Sequence, residues 1–379
     1  MIRLSVPSIN EDDLAAVARV LKTGFLVQGP EVAKFEASMK AITGSKHAVA
    51  LTNCTAALQL ALLALDVRPG DLVPVTAYSW LSTANVIELC GAQPVFVDID
   101  ERTFNMCPDA LEATLARVTK TEDARRRLKA ILPVHTFGQT ADMTRLLAIA
   151  ERYGLPLVED AACALGATWH GKQAGAMGVM GCFSFHPRKA LTTGEGGAIT
   201  TDDEALANRL RALRNHGQDP TAPSADFIMP GFNTRMTEFQ AALGVTQLAR
   251  LEPVLAGRRK LARVYDGLLA KTALTAPYVA PGAEHAVQSY VATLPEAAAP
   301  HRADLIRVLR ERGIETNIGT WHMPLTTYFR TRYGYRPGDF PVADRVFARS
   351  LTLPLYDGLT EADLARVVSE IGAVLATFG

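Results

Sequence analysis

Short apolar segments alternate with helical segments as far as residue 201, and this alternation limits the folds that the chain can adopt. Such a pattern predicts a mainly parallel sheet with helices on both faces. In sheets of this kind, ligand groups gather beyond the carboxyl ends of the strands. Helices are predicted over 55–65 and 79–90, and the predicted strands are HAVAL (47–51), DLVPV (71–75), PVFVDI (94–99), KAILPV (129–134), PLVED (156–160), MGCFSF (180–185) and GAITT (197–201).

The pattern changes at about residue 250. A long charged helix begins at Leu251 and is followed by a stretch rich in Pro, Ala and Gly, a strand, a helix over 300–312 and a terminal helix from Thr360. A chain of 379 residues is also too long for one ordinary core. We therefore predict an α/β fold with a large domain over residues 1–250 and a smaller α+β domain over residues 251–379. Asn10 is predicted to cap the N-terminal helix, and this helix could pack with the small domain.

Composition narrows the class of protein. The 39 basic and 39 acidic residues balance, which argues against nucleic-acid binding as the main function. The cysteines are odd in number and include no Cys-x-x-Cys pair, which fits reduced thiols better than a disulfide framework. The start of the chain is acidic rather than signal-like, and no apolar run approaches the roughly 18 residues of a membrane span. We predict a cytoplasmic protein without a membrane span and, because the histidines lack paired spacing, without a metal site.

Two predicted strand ends carry residues that suit opposite charges. Cys54 and Thr55 open a helix directly after strand 47–51, and amides at a helix start bind anions. Taken alone, Thr55 is equally explained as part of an ordinary helix cap. Asp160, next to Glu159, closes strand 156–160, where a buried carboxylate needs a cationic partner. A protonated pyridine nitrogen would serve as that partner, and so would a structural salt bridge.

Two further strand ends supply an amine and an aromatic surface. Ser184 lies near the end of a strand and Lys189 follows it in a loop, where a partly desolvated lysine near a cationic cofactor has a lowered pKa and is nucleophilic. Most lysines in loops are simply exposed. Tyr78 and Trp80 follow strand 71–75 and could stack on a flat cofactor or lie in the core. The glycines after Lys189 precede a strand, so they lack the context of a dinucleotide fingerprint.

Together these residues provide a phosphate anchor, a stacking surface, a partner for a pyridine nitrogen and a lysine that can form a Schiff base. Pyridoxal 5'-phosphate (PLP) requires all four. Each feature alone has an ordinary structural explanation. Their occurrence on strand ends of one predicted sheet favours a PLP enzyme.

Motifs along nearly the whole chain resemble those of the DegT/StrS-type (DegT/DnrJ/StrS) sugar aminotransferases, a branch of the fold-type I PLP enzymes. The resemblance implies a large PLP-binding domain with a smaller C-terminal domain. The block FSFHPRKALTTGEGG is the most specific. The other motifs are GFLVQGPEVAKFE, TNCTAALQLAL, AYSWLSTANVI, PVFVDID, LPVHTFGQTADM, VEDAACALGA, GFNTRMTEFQAALG and LPLYDGLTEADL.

The resemblance also implies roles for single residues. Lys189 matches the lysine that carries PLP as a Schiff base, and Asp160 matches the partner of the pyridine nitrogen. Asn233 matches an asparagine that reaches the phosphate from the other subunit, which implies a homodimer with shared active sites. The remaining matches are Trp80 for ring stacking, and Thr55, Ser184 and the backbone at Cys54 for the phosphate.

The implied reaction moves an amino group from an amino acid, glutamate or glutamine, to a keto-sugar that is linked to a nucleotide. It would follow a ping-pong mechanism in which Lys189 moves a proton while the cofactor ring stores charge. Two departures from relatives fall near the substrate. Cys163, beside the cofactor, replaces the Gln or His of many relatives, and His322 precedes a proline where relatives carry a Pro-Leu-His run.

Other functions compete with this interpretation. The same chemistry could serve a cyclitol ketone, or an aminodehydroquinate-type synthase that forms an aromatic amine. A nicotinamide-dependent oxidoreductase lacks support because no G-x-G-x-x-G follows the first strand. A non-catalytic regulator with the same fold is expected to lack Lys189 or Asp160, and both are present. For His135 and His186 we favour structural hydrogen bonding over catalysis.

Overall fold

The computed structural model describes residues 1–378. Short 3-10 helices cover Thr136–Gly138, Glu296–His301 and Met323–Leu325. The α-helices of the described residues are α1 (Glu11–Thr23), α2 (Pro30–Thr43), α3 (Cys54–Ala64), α4 (Ser82–Leu89), α5 (Pro108–Val118), α6 (Glu122–Arg127), α7 (Met143–Tyr153), α8 (Glu204–Arg214), α9 (Glu238–Leu248), α10 (Leu251–Leu269), α11 (Arg302–Glu311), α12 (Thr327–Tyr333), α13 (Pro341–Arg349) and α14 (Glu361–Leu375).

The strands follow the predicted order as far as residue 201 and are short afterwards. Between residues 1 and 378, no helix is both long enough and apolar enough to cross a membrane. The strands are β1 (His47–Leu51), β2 (Leu72–Thr76), β3 (Tyr78–Ser79), β4 (Gln93–Val97), β5 (Val158–Asp160), β6 (Thr168–Trp169), β7 (Lys172–Gln173), β8 (Met180–Ser184), β9 (Gly197–Thr201), β10 (Ala283–Glu284), β11 (Tyr290–Thr293), β12 (Asn317–Ile318), β13 (Trp321–His322) and β14 (Ser350–Leu353).

The main sheet runs in the order β4, β2, segment 128–134, β5, β8, β9, β1. Its neighbours are parallel except that β9 is antiparallel to both β8 and β1, so the predicted mainly parallel sheet is confirmed. Segment 128–134 joins β2 and β5 through single parallel bridges rather than as a continuous strand. Pro133, which has no N–H, interrupts its ladder with β5. β5 and β8 run in the same direction, so their carboxyl ends lie at one edge of the sheet.

Segment 78–90 differs from the sequence prediction. A helix was expected from Ser79, but Tyr78 and Ser79 form β3, which pairs antiparallel with β13, and α4 begins only at Ser82. The hydroxyl of Tyr78 donates to Ser350 Oγ over 2.9 Å. Helical spacing in the sequence does not reveal this pairing because the partner strand lies more than two hundred residues away.

Two clusters of buried apolar residues are the largest of the five in the described part of the chain. The first covers one face of the main sheet and includes Phe329 and Phe340 from the C-terminal part, both packed on Phe96. The second lies between α10, α11, α14 and the antiparallel sheet β11–β14–β12, and Ile2 contributes to it. Helix α1 packs on α9 through Ala16, Val20 and Ala242. The division at residue 250 stays a prediction.

Glu238 fixes the loop that leads into α2. Its buried carboxylate accepts hydrogen bonds from the N–H groups of Gly29 (2.9 Å), Glu31 (2.8 Å) and Val32 (3.1 Å). A carboxylate at a helix start satisfies N–H groups that have no partner within the helix. A Cβ at Gly29 would lie 2.6 Å from Glu238 Oε2, so glycine is required for this close approach.

We expect Glu238→Gln to lower the free energy of unfolding by about 1.5–3 kcal/mol, since charge-assisted hydrogen bonds are lost and an amide N–H₂ faces other donors. Urea denaturation measures this change. The control is Glu204→Gln, an exposed glutamate at the start of α8, which should change stability by less than about 0.5 kcal/mol. Equal effects of the two substitutions would contradict the proposed anchoring role.

Candidate active site

Asp160 lies at the carboxyl end of β5 and is 3% exposed. Its Oδ2 accepts a hydrogen bond from Thr83 Oγ1 over 2.8 Å, and its Oδ1 accepts one from the N–H of Ala162 over 3.1 Å. The Thr83 hydroxyl in turn lies 3.0 Å from Ser79 Oγ. These contacts hold the carboxylate in one orientation at the edge of the sheet where cofactor ligands were predicted.

The charge of Asp160 is costly to bury. Burial raises the pKa of this carboxyl above its ordinary value, although the hydrogen bonds from Thr83 and Ala162 and the charge of Lys189 lower it. A cation against the carboxylate would remove part of this cost. The site therefore suits a positively charged group such as a protonated pyridine nitrogen.

Glu159, the neighbour of Asp160, has a structural role. Successive strand residues face opposite sides, and the Glu159 carboxylate accepts hydrogen bonds from three N–H groups in the turn 175–178. It also lies 2.7 Å from His135 Nε2, while His135 Nδ1 accepts from the N–H of Ala141. His135 Nδ1 is therefore the acceptor nitrogen, and the N–H at Nε2 donates a hydrogen bond to Glu159. This bonding agrees with the structural interpretation that we favoured for His135.

Lys189 is held by the loop after β8. Its Nζ donates a hydrogen bond to Cys163 Sγ over 3.0 Å, and its backbone N–H donates to the carbonyl of His186. Burial lowers the pKa of Lys189, but the nearby Cys163, Cys54 and Asp160 raise it more, so its pKa lies above the ordinary value. The sequence argument expected a lowered pKa beside a cationic cofactor. In the protein chain itself, thiols and a carboxylate surround the amine instead.

The predicted phosphate ligands lie near the start of α3. The Asn53 side chain caps the helix by accepting from the N–H of Ala56 over 2.8 Å, and Thr55 is exposed beside this cap. Cys54 is buried, and burial, followed by the charge of Asp160, raises the pKa of its thiol well above the ordinary range. A Cβ at Gly197 would lie 2.4 Å from the carbonyl of Asn53, so β9 runs directly against this helix start.

Ser184, Cys163 and Lys189 line one cavity at the ends of β5 and β8. Ser184 is half-buried at the end of β8, and its Oγ accepts weakly from the N–H of His186 over 3.5 Å. The helix start, the buried carboxylate and the amine therefore fit the phosphate, the pyridine nitrogen and the aldehyde carbon of PLP. In residues 1–378, no group of three or more His, Cys, Asp and Glu side chains could hold a metal ion.

Besides Thr55, two further predicted site residues lie at the surface. Trp80 is 61% exposed between β3 and α4. Asn233 is exposed in the loop before α9, where the carbonyl of the next residue, Thr234, accepts from the N–H of Thr52 over 2.9 Å. Within the described residues, neither side chain hydrogen-bonds to Lys189 or Asp160. Their assigned roles stay predictions.

The segment around His322, which departs from the Pro-Leu-His run of relatives, buries its histidine and exposes a tryptophan. His322 is 2% exposed and its Nε2 lies 3.0 Å from Asp344 Oδ1. Burial lowers the pKa of His322, although Asp344 opposes this effect. The exposed neighbour is Trp321, which pairs with Ser79 in the β3–β13 register. The segment therefore turns an indole rather than an imidazole towards the solvent.

Thr83 was missed by the sequence analysis although it lies within a motif that we quoted. Its signal is a hydroxyl on a helix face that otherwise carries apolar residues, four positions after Ser79. Ser79 belongs to β3 and lies before α4, so helical spacing does not explain this pair, and it is the turn between β3 and α4 that brings the two hydroxyls within 3.0 Å. A pattern search for titratable groups overlooks such a residue because Thr83 acts only through Asp160.

Comparison with known proteins identifies the family. A sequence profile of the DegT/DnrJ/EryC1/StrS aminotransferase family matches residues 7–372. Spore coat polysaccharide biosynthesis protein SpsC of Bacillus subtilis is 38% identical over 379 residues, covering 97% of this chain and 95% of that protein. GDP-perosamine synthase of Caulobacter vibrioides is also 38% identical, over 381 residues, covering 99% of this chain and 98% of that protein.

A solved structure extends the likeness to the fold and the cofactor. The PLP form of Spr1654 from Streptococcus pneumoniae has a TM-score of 0.91 and 29% identity, covering 99% of each chain. The predicted fold-type I architecture and the predicted cofactor are thereby confirmed. The chain belongs to the DegT/DnrJ/EryC1/StrS aminotransferase family and is a PLP-dependent aminotransferase.

Proposed function

We propose that the protein transfers an amino group from glutamate or glutamine to a nucleotide-linked keto-sugar by a ping-pong mechanism. The observation that carries the proposal is the contact of Lys189 Nζ with Cys163 in the cavity beside the buried Asp160 carboxylate. The names of the two relatives support a sugar acceptor. One name refers to polysaccharide biosynthesis and the other to the synthesis of a GDP-linked product.

The proposed roles follow from position. Asp160 would hold the pyridine nitrogen in its charged form, and Thr83 would orient Asp160. The start of α3 would bind the phosphate. When bound, PLP supplies the electron sink of the reaction.

Lys189 would carry out the proton transfer. Its Nζ lies in the cavity that Ser184 and Cys163 also line, and it would move a proton between the Cα of the amino donor and C4′ of the cofactor. Cys163 Sγ accepts a hydrogen bond from this amine, so it would hold the amine in place whenever Lys189 is free. Trp80 would stack on the cofactor ring.

Lys189→Ala should abolish both the yellow colour of the enzyme and amino transfer, because the covalent lysine–cofactor linkage cannot form. Visible absorption spectra and mass spectrometry after borohydride treatment and dialysis measure the linkage. Lys172→Ala, which removes an exposed lysine, serves as the control and should keep colour and activity. A wild-type protein that stays colourless after incubation with PLP would contradict the assignment.

The amino donor can be identified without the acceptor. In a ping-pong reaction, the correct donor alone should remove the visible band and release one keto acid per site, since the first half-reaction ends before the acceptor binds. We expect glutamate or glutamine to do so, and a nucleotide-linked keto-sugar to restore the band. The stopped-flow spectrum and the keto-acid yield are the measurements. If neither glutamate nor glutamine removes the band, the proposed donor is refuted.

We also propose a homodimer with shared active sites. Its support is a set of exposed apolar residues near the start of α9: Phe25, Leu26 and Val27 precede α2 and contact residues 237 and 238, and Phe232 lies next to Asn233. Exposed apolar patches of this kind mark protein–protein contacts. In a symmetric dimer, the same surface of both subunits meets across the axis, which would let Asn233 serve the partner's site.

Mixing two inactive variants tests this arrangement. Lys189→Ala and Asn233→Asp homodimers should each be inactive or weak, but after dissociation and reassociation the mixture should recover about a quarter of wild-type activity, because half the dimers carry one intact site. The matched control mixes Lys189→Ala with Asp160→Asn. Because one subunit supplies both Lys189 and Asp160 to a given site, no mixed dimer contains an intact site, and we expect no recovery of activity. Absence of recovery in the first mixture would place Asn233 in its own subunit's site.

A further inference from the structure

The side chain of Gln288 forms hydrogen bonds with the backbone on both sides of Lys189. Its Nε2 donates a hydrogen bond to the carbonyl of Arg188 over 2.6 Å, and its Oε1 accepts one from the N–H of Ala190 over 2.8 Å. Gln288 is 8% exposed and lines the same cavity as Lys189 and Cys163. A carboxamide offers a donor and an acceptor side by side, so it can bind both peptide groups at once.

Gln288 is itself fixed by a buried cation. Arg258 of α10 donates from Nε to the carbonyl of Val287 over 2.9 Å and from Nη2 to the carbonyl of Gln288 over 2.7 Å. Arg258 is 5% exposed, and burial lowers the pKa of its guanidinium to about 10, against the opposing charge of Asp357. Helix α10 thus holds the segment that holds the lysine loop.

The backbone before Gln288 is strained. Val287 has a φ of 50°, a left-handed conformation that is unfavourable for a β-branched residue. Its N–H donates to His285 Nδ1 over 2.7 Å, and burial lowers the pKa of His285 to about 4, which keeps this nitrogen an acceptor. Strained conformations persist where the surroundings determine them, and they concentrate at functional sites.

The opposite side of the segment is equally constrained. Gly138, at a φ of 103°, packs so closely that a Cβ there would lie 2.8 Å from the backbone N of Gln288 and 3.0 Å from the carbonyl of Cys163. The loop with Gly138 therefore bridges Gln288 and the residue that contacts Lys189 Nζ. Contacts on both sides therefore fix the backbone from which the Gln288 side chain binds residues 188 and 190.

We propose that Gln288 is a positioning residue for Lys189. It fixes the Cα of the lysine, so that the amine reaches Cys163 and the cofactor without further ordering of the loop. The inference rests on the role proposed for Lys189. A lysine side chain has four rotatable bonds, and a fixed backbone lowers the entropy lost when the amine is placed.

The chain contains a matched control for this clamp. Gln139, which is 2% exposed, donates from Nε2 to the carbonyl of Tyr278 over 3.1 Å and accepts at Oε1 from the N–H of Ala280 over 2.7 Å. It is therefore a buried glutamine that binds two peptide groups of a loop without Lys189. Loss of either clamp should lower stability, but only loss of the Gln288 clamp should affect Lys189.

The test uses Gln288→Ala, the volume-conserving Gln288→Met and the control Gln139→Ala. In cofactor-free protein, peptide mass spectrometry measures the acetylation rate of Lys189 by acetic anhydride. In PLP-loaded protein, spectra measure the pH midpoint of the visible band. We expect both Gln288 variants to change the acetylation rate by about two- to tenfold, the factor that corresponds to one hydrogen bond, and to shift the midpoint. Gln139→Ala should match wild type in both measurements.

Two results separate this inference from the proposed function. If Lys189 behaves alike in the Gln288 and Gln139 variants, Gln288 is structural and the inference is wrong. If wild-type protein forms no coloured adduct, the proposed role of Lys189 fails, while the acetylation rates still decide whether Gln288 positions this lysine. Gln288→Met fills the space of the glutamine, so it gives a result even if Gln288→Ala does not fold.

Discussion

The burial of a carboxylate at the end of β5 is the constraint on which the site depends. Asp160 has lost most of its contact with water, and two hydrogen bonds compensate only in part, so its pKa stays raised. Such a group is stable as an anion only beside a cation. Within the chain, the charge of Lys189 lowers the pKa of Asp160, and the pyridinium of PLP would supply a second positive charge directly against the carboxylate. The cofactor therefore completes an arrangement that the fold leaves electrostatically unfavourable.

The sheet brings together groups that lie far apart in the sequence. Parallel β5 and β8 end at the same edge, which places Asp160 near the loop that carries Lys189. Antiparallel β9 returns between β8 and β1, and Gly197 lets it pass directly against the start of α3. One strand with reversed direction thus connects the predicted phosphate site to the lysine loop.

Much of this could be predicted from the sequence because it is local. Apolar runs and caps defined most strands and helices, and residue types at strand ends singled out Lys189 and Asp160. Long-range partners could not be predicted. The pairing of β3 with β13 and the contact of Thr83 with Asp160 each depend on residues brought together only by the complete fold. Exposed Trp80 and Asn233 gain meaning only from a second subunit or a ligand.

The C-terminal part of the chain does more than cover the sheet. Arg258 on α10 holds the strained segment at Val287, and Gln288 extends from this segment to the peptide groups around Lys189. A displacement of α10 would therefore act on the backbone around Lys189 through two pairs of hydrogen bonds. One pair joins Arg258 to the carbonyls of residues 287 and 288, and the other joins the Gln288 side chain to residues 188 and 190. The position of the reactive amine is thus coupled to the packing of a helix that begins at residue 251.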